Sequence, residues 1–171
     1  WAPQASWRIE KDGDNTVLAG RDQCRALAIP VRGMDYRFKA RLKLIQGAVP
    51  LNVRAQCARY LIGFAPNRLY LNRIAPCGVN ADLRSIEENH ALNRWYTVEI
   101  VVMGAEVNIY VDDELKIGYT DPTPVLFGGV DIETLPNSYV QFDDIEVTGP
   151  QSGFDRLRVA DMFLPKASVG V

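Results

Sequence analysis

Apolar and polar positions alternate with a period of two along most of this chain, the repeat of strands with one buried and one wet face. Val107, Ile109 and Val111 alternate with Asn108, Tyr110 and Asp112, and Val98, Ile100 and Val102 share a parity with Tyr96. These predict two strands joined at Met103-Gly104-Ala105-Glu106. Between Tyr36 and Leu44 the apolar residues take one face, while Arg37, Lys39, Arg41 and Lys43 take the other. Further strands are predicted at 7–10, 16–19, 24–29, 51–56, 60–64, 69–73, 115–119, 129–133 and 139–147, with turn residues between most of them. About a dozen short strands with almost no helical periodicity predict an all-β fold, an antiparallel two-sheet β-sandwich of jelly-roll type. Only 83–92 could pass for a short helix, because Ser85 followed by Glu88 resembles a capping box. Otherwise that stretch is a loop or helical turn crossing between the sheets. The sandwich is expected over residues 1–149. After Gly149-Pro150 the pattern weakens, so 150–171 is expected to be a C-terminal extension, either an edge strand or a linker.

Composition bounds the function classes. A chain of 171 residues, 47% hydrophobic and 23% charged, describes one ordinary globular domain with enough chain for a sizeable core. A formal net charge of -2 provides no field that would hold a polyanion, so nucleic acid is not an expected partner. No apolar run approaches the roughly 20 residues of a membrane-spanning helix, and membrane insertion is not expected. The chain opens on Trp1 without an initiator Met or a signal peptide and reads as a mature or excised piece, with neighbouring domains expected in the full-length protein.

The acids are the first place to look for catalysis. Asp112-Asp113-Glu114 lies between two strand-like runs, so these acids are expected in a tight hairpin turn. A retaining glycosidase needs two carboxyls about 5–5.5 Å apart. The best approximations on a strand are Asp131-Ile132-Glu133 and Asp144-Ile145-Glu146, two acids each, and no catalytic residue is assigned. His90, the sole histidine, has no Cys or His at metal-ligand spacing and no nucleophile-elbow motif to support a triad.

The series RWYTVEIVVMGAEVNIYVDDEL, YTDPTPVLFGGVDIETL and YVQFDDIEV resembles the concanavalin A-like lectin/glucanase superfamily, especially its bacterial laminin-G-like and 3-keto-disaccharide-hydrolase-like domains. Trp95, Gly129, Asp143, Asp144, Ile145 and Val147 match the places of that pattern, while Asp113 stands where the hairpin usually has Gly. The resemblance covers about 7–147. It implies a scaffold shared by lectins, carbohydrate-binding modules, adhesion domains and some enzymes. The Glu-x-Asp-x-x-Glu strand of laminarinase-type members is absent here.

Sugar recognition pairs an aromatic face with the apolar face of a pyranose and reads hydroxyls with planar polar side chains. Leu51-Asn52-Val53-Arg54-Ala55-Gln56 alternates cleanly, which predicts Asn52, Arg54 and Gln56 on one face, joined by Tyr70 and Asn72 of a nearby strand. A solvated face with ordinary cross-strand pairs is the other reading. Trp7 and Trp95 are read as packing residues. Asp12-Gly13-Asp14-Asn15 and Asp143-Asp144 are the candidate ligands of a structural calcium, although the first is also an ordinary turn. Cys57 and Cys77 sit symmetrically about Asn67, which suggests a disulfide across a hairpin. The apolar pairing of Ile62, Phe64, Leu69 and Leu71 implies a register one residue away, and three free cysteines remain the alternative. A bridge would place the protein outside the cell or at its surface. The expected function is a non-catalytic extracellular module that binds a glycan or surface polysaccharide or serves adhesion. The alternatives are a glycan-active hydrolase with acids such as Asp131 and Glu133, and a purely structural assembly domain.

Overall fold

The computed structural model describes residues 6–22, 25–75 and 80–149, together with the backbone of 157–158. Among these residues every regular element is a strand: β1 (Trp7–Asp12), β2 (Asn15–Arg21), β3 (Arg25–Gly33), β4 (Tyr36–Gln46), β5 (Val49–Ala55), β6 (Arg59–Ala65), β7 (Arg68–Ile74), β8 (Ala81–Glu87), β9 (Trp95–Met103), β10 (Glu106–Val111), β11 (Glu114–Thr120), β12 (Gly128–Thr134), β13 (Tyr139–Thr148) and β14 (Leu157–Arg158). They form two sheets of antiparallel neighbours, one ordered β1-β2-β13-β4-β9-β10-β11 with β14 also on β13, the other β3-β12-β5-β6-β7-β8. The fold is an antiparallel two-sheet β-sandwich.

The alternation explains which faces meet. In β4 the side chains of Phe38, Ala40, Leu42 and Leu44 are buried, and they pack with Val98, Ile100 and Val102 of β9 and Val140, Phe142 and Val147 of β13. The facing sheet contributes Leu51, Val53, Tyr60, Ile62, Phe64, Leu69, Leu71 and Ile132. Burying each large apolar side chain contributes roughly 1.5–3 kcal/mol, so the sandwich interior dominates stability. Trp7 is part of this interior, tilted against Phe142.

Turn chemistry closes the hairpins as the residues require. Asp112 and Asp113 both have positive φ, 50° and 65°, as the two central residues of a type I′ turn must. The Asp112 carboxylate accepts from the Thr97 backbone N–H and from Arg94, so this acid is a turn residue with its oxygens occupied.

The short-helix reading of 83–92 gives way to a strand. Residues 81–87 form edge strand β8, with Leu83 and Ile86 packed against the core, and 88–94 is the crossing from one sheet to the other. The sheet supplies the Ser85 backbone partners that a helix cap would have supplied. The β6–β7 ladder pairs Ile62 with Leu71 and Phe64 with Leu69, the register demanded by the apolar residues. Cys57 is exposed in the preceding turn. Cys24 and Cys77, and with them the Cys57–Cys77 pairing, lie outside the described residues.

Candidate functional site

The outer face of the six-stranded sheet is organised in rows. Hydrogen-bonded register aligns Asp131 of β12, Asn52 of β5, Leu61 of β6, Asn72 of β7 and Asp82 of β8 across five adjacent strands. One outward position along runs a second row, Pro50, Gly63, Tyr70 and Ser85. A β-bulge at Leu71/Asn72 resets the parity of β8, which turns Asp82 outward beside Asn72 while Leu83 and Ile86 stay inward.

At the β12 end of these rows a polar cluster converges. Asn52 is fully buried, and its Nδ2 donates to Asp131 Oδ1 at 2.6 Å and to Glu133 Oε1 at 2.8 Å. Its Oδ1 accepts from Arg59 Nε at 3.1 Å, and Arg59 Nη2 lies 3.8 Å from Glu133. The two accepting oxygens are therefore no farther apart than two hydrogen bonds laid end to end. Burial pushes the Asp131 carboxyl upward, against the lowering effect of the Asn52 bond, and the nearby Glu133 charge adds to the rise. Asn52 spends its whole amide beneath the acids, so it holds the carboxylates and leaves contact with a ligand to them.

Farther along the same face, Tyr70 of β7 lies over Gly63 of β6. A Cβ at Gly63 would fall 1.9 Å from Tyr70 Cζ, so only glycine leaves room for the ring on the sheet. The Arg68 guanidinium stacks on the same ring at 4.3 Å. A sugar taking that place would displace a contact worth about 0.5–1 kcal/mol at an exposed site.

Arg54 leaves the face on which alternation alone predicts it. Its φ is 49°, opposite the irregularity at Gly129/Val130, and its side chain is fully buried at one end of the sandwich. There the guanidinium donates to Met34 O at 2.8 Å, Gly104 O at 2.6 Å and Val125 O at 2.7 Å, with Asp35 at 3.3 Å. It clamps three connecting segments together. Its backbone N–H donates to the Tyr36 hydroxyl, which in turn donates to Gly129 O. Gln56 is exposed in the turn after β5 and its side chain joins neither row. Of the five predicted ligand residues, the structure brings Asn52, Tyr70 and Asn72 to one face. The alternation did not mark Arg59 or Gly63. Their shared parity with Leu61 was the available signal.

The proposed calcium ligands are placed around the other sheet. Asp12 Oδ2 accepts from Lys43 Nζ at 2.8 Å and from Trp95 Nε1 at 3.3 Å. Asp143 Oδ2 accepts from Asn15 Nδ2 at 2.7 Å, and Arg41 stands 3.8 and 3.7 Å from Asp143 and Asp144. Asp14 is exposed in the β1–β2 turn. Among the described residues no three His, Cys, Asp or Glu converge at metal-binding distance. Trp95 is half-buried, with Arg41 and Lys43 each 5.0 Å from its ring. His90 is buried and stacked on Phe64, with Nδ1 at 2.6 Å from Ala65 O and Nε2 at 3.0 Å from Glu88, so both ring nitrogens are engaged.

No protein-family model matches the chain, and no curated protein matches it in sequence. Solved structures show the same fold. The carbohydrate-binding module CBM66 from Bacillus subtilis superposes with a TM-score of 0.69 at 15% identity, over 86% of this chain and 98% of that one. A Caenorhabditis elegans galectin gives 0.55 at 18% identity, over 76% and 95%. A putative glycosyl hydrolase from Parabacteroides distasonis gives 0.64 at 10% identity, over 85% and 84%. At these identities the likeness is one of architecture, the antiparallel two-sheet β-sandwich.

Proposed function

We propose that this chain is a carbohydrate-binding β-sandwich module that takes its glycan on the outer face of the six-stranded sheet. The observation that carries this reading is the half-buried acid pair Asp131 and Glu133, held on one buried Asn52, on the same sheet face as the Tyr70 ring that lies over Gly63. Carboxylates accept from sugar hydroxyls, and the ring offers an apolar face to the C–H side of a pyranose. Two of the structural neighbours, a carbohydrate-binding module and a galectin, are in keeping with this chemistry. Export to the extracellular space or cell surface belongs to the same proposal, and thiol counting with and without reductant on the purified protein tests its Cys57–Cys77 element.

A glycan array on the purified chain tests the function. A specific hit that falls at least tenfold with Asn52→Ala, the fold being intact by circular dichroism, supports it. A blank array, or a hit indifferent to Asn52 and Tyr70, overturns it. The Asn52 change is expected to cost about 1–3 kcal/mol of stability, because it strips a buried donor from two carboxylates.

A second reading rests on the same acids. Two carboxylates bridged by one amide nitrogen, one of them raised by burial, have the proximity that retaining glycoside hydrolysis uses, about 5–5.5 Å between carboxyls. Release of reducing ends from a glycan that binds on the array, abolished by Asp131→Asn with binding retained, would turn the module into a hydrolase.

A further inference from the structure

The two rows have a direction, and the direction carries information about the ligand. From Asp131 on β12 to Asp82 on β8 the polar row crosses five strands, four strand spacings or on the order of 19 Å. The apolar row of Pro50, Gly63 and Tyr70 runs beside it, one outward position away, roughly 7 Å along the strands. A single terminal sugar needs one ring's worth of such contacts. Here polar side chains stand towards both ends, Asp131 on β12 and Asn72 with Asp82 on β7 and β8, with Leu61 in the middle and the Tyr70 ring in the row alongside.

Resting on the binding reading above, we infer that the ligand is an extended, neutral oligosaccharide lying across the strands from β12 to β8, bound along its chain. One ring per strand spacing gives room for about four residues. The acceptors decide the charge class. Asp131 and Glu133 terminate the row at one end and Asp82 at the other, while Arg59, the cation inside the cluster, is already committed to Asn52 and Glu133. A uronate or sulfate would meet a like charge at either end, at the half-buried Asp131 and Glu133 on β12 and at the exposed Asp82 on β8, and the β12 end is where that is most unfavourable. Hydroxyl groups instead donate to those oxygens. Asn72, one strand in from Asp82, reads either a hydroxyl donor or an acceptor through its amide.

The test is calorimetric titration of the intact chain with neutral length series, dimer to hexamer, of β-1,3-glucan, β-1,4-glucan and β-1,4-mannan, and with oligogalacturonates as the anionic series. At least one neutral series is expected to gain ten- to a hundredfold in affinity between dimer and tetramer and then level off, with the oligogalacturonates at least tenfold weaker at equal length. The double change Asn72→Ala with Asp82→Ala should weaken the tetramer about tenfold and leave the dimer within twofold, and Arg37→Ala on the opposite sheet serves as the control. Affinity that is flat from dimer to hexamer would mean recognition of a chain end and overturns the inference, although the binding function stands. Preference for the anionic series overturns the charge class. Binding of no neutral series overturns the inference outright, and the binding function falls with it only if the glycan array is also blank.

Discussion

The two outer faces of the sandwich handle their charged residues in opposite ways. On the eight-stranded sheet cations stand against acids, with Arg37 on Glu99 at 3.1 Å, Lys43 on Asp12 at 2.8 Å and Arg41 beside both Asp143 and Asp144, while Arg8 and Arg21 share Glu10. On the six-stranded sheet two acids are drawn onto one amide and shielded from solvent, so that Asp131 is raised. Cross-strand pairs of opposite sign are what a solvated sheet face needs for its own stability. Gathering like charges works against stability, and that contrast is what supports placing the proposed glycan site on the six-stranded sheet.

The largest effect is expected where the two sheets are tied together. Arg54→Ala leaves the carbonyls of Met34, Gly104 and Val125 without their donor and should lower unfolding free energy by about 3–5 kcal/mol in a urea titration. A loss below about 1 kcal/mol would mean that the clamp is dispensable and that Arg54 was free to serve the glycan face after all.

The pH dependence sharpens the contrast between faces. The folded Asp131 carboxyl titrates above its unfolded value of about 3.9, so as pH rises through that value the unfolded chain loses its proton first and stability falls until the raised folded value is passed. Glu10 is the reverse. Its hydrogen bonds from Tyr139 and Arg8 outweigh burial and hold it below the usual range, so its contribution is present above about 4.3 and is lost as pH falls through the lowered folded value. In urea titrations from pH 3 to 7, Asp131→Asn should gain on the parent chain as pH rises and Glu10→Gln should lose. Parallel curves for both variants would erase the distinction.

Three smaller effects follow. Arg68→Ala uncovers the Tyr70 ring and should tighten glycan binding about two- to fivefold, read by calorimetry, whereas weaker binding would make Arg68 a ligand contact. Arg37→Ala should change stability by no more than about 1 kcal/mol and leave binding untouched. On the same face, EDTA is expected to leave Tm unmoved, since Asp12 and Asp143 already carry Lys43 and Asn15. A drop in Tm would put calcium among Asp12, Asp14, Asp143 and Asp144.

Period-two alternation made the sandwich legible because it is a local consequence of the pleat: Val107, Ile109 and Val111 are buried as their parity requires. The same rule failed where a bulge or a positive φ shifts the count. It put Arg54 outside, whereas the structure buries it, and it could not turn Asp82 outward, because the β7–β8 bulge is invisible in DLRSIE. The site was half legible for a different reason. Asn52, Tyr70 and Asn72 could be placed by parity on nearby strands, but Asn52 and Asp131 are 79 residues apart, and nothing local says that β12 lies against β5. Asp131 and Glu133 could be noticed as spaced acids, yet their gathering point was out of reach.

Gly63 imposes two separate tests on any descendant of this chain. In a library randomised at that one position, a screen for folded protein should accept alanine or serine, since Tyr70 is a side chain that can swing away from the added carbon. Panning the same library on the glycan should return glycine almost alone. The position would then drift freely in a lineage that keeps the scaffold and abandons the sugar.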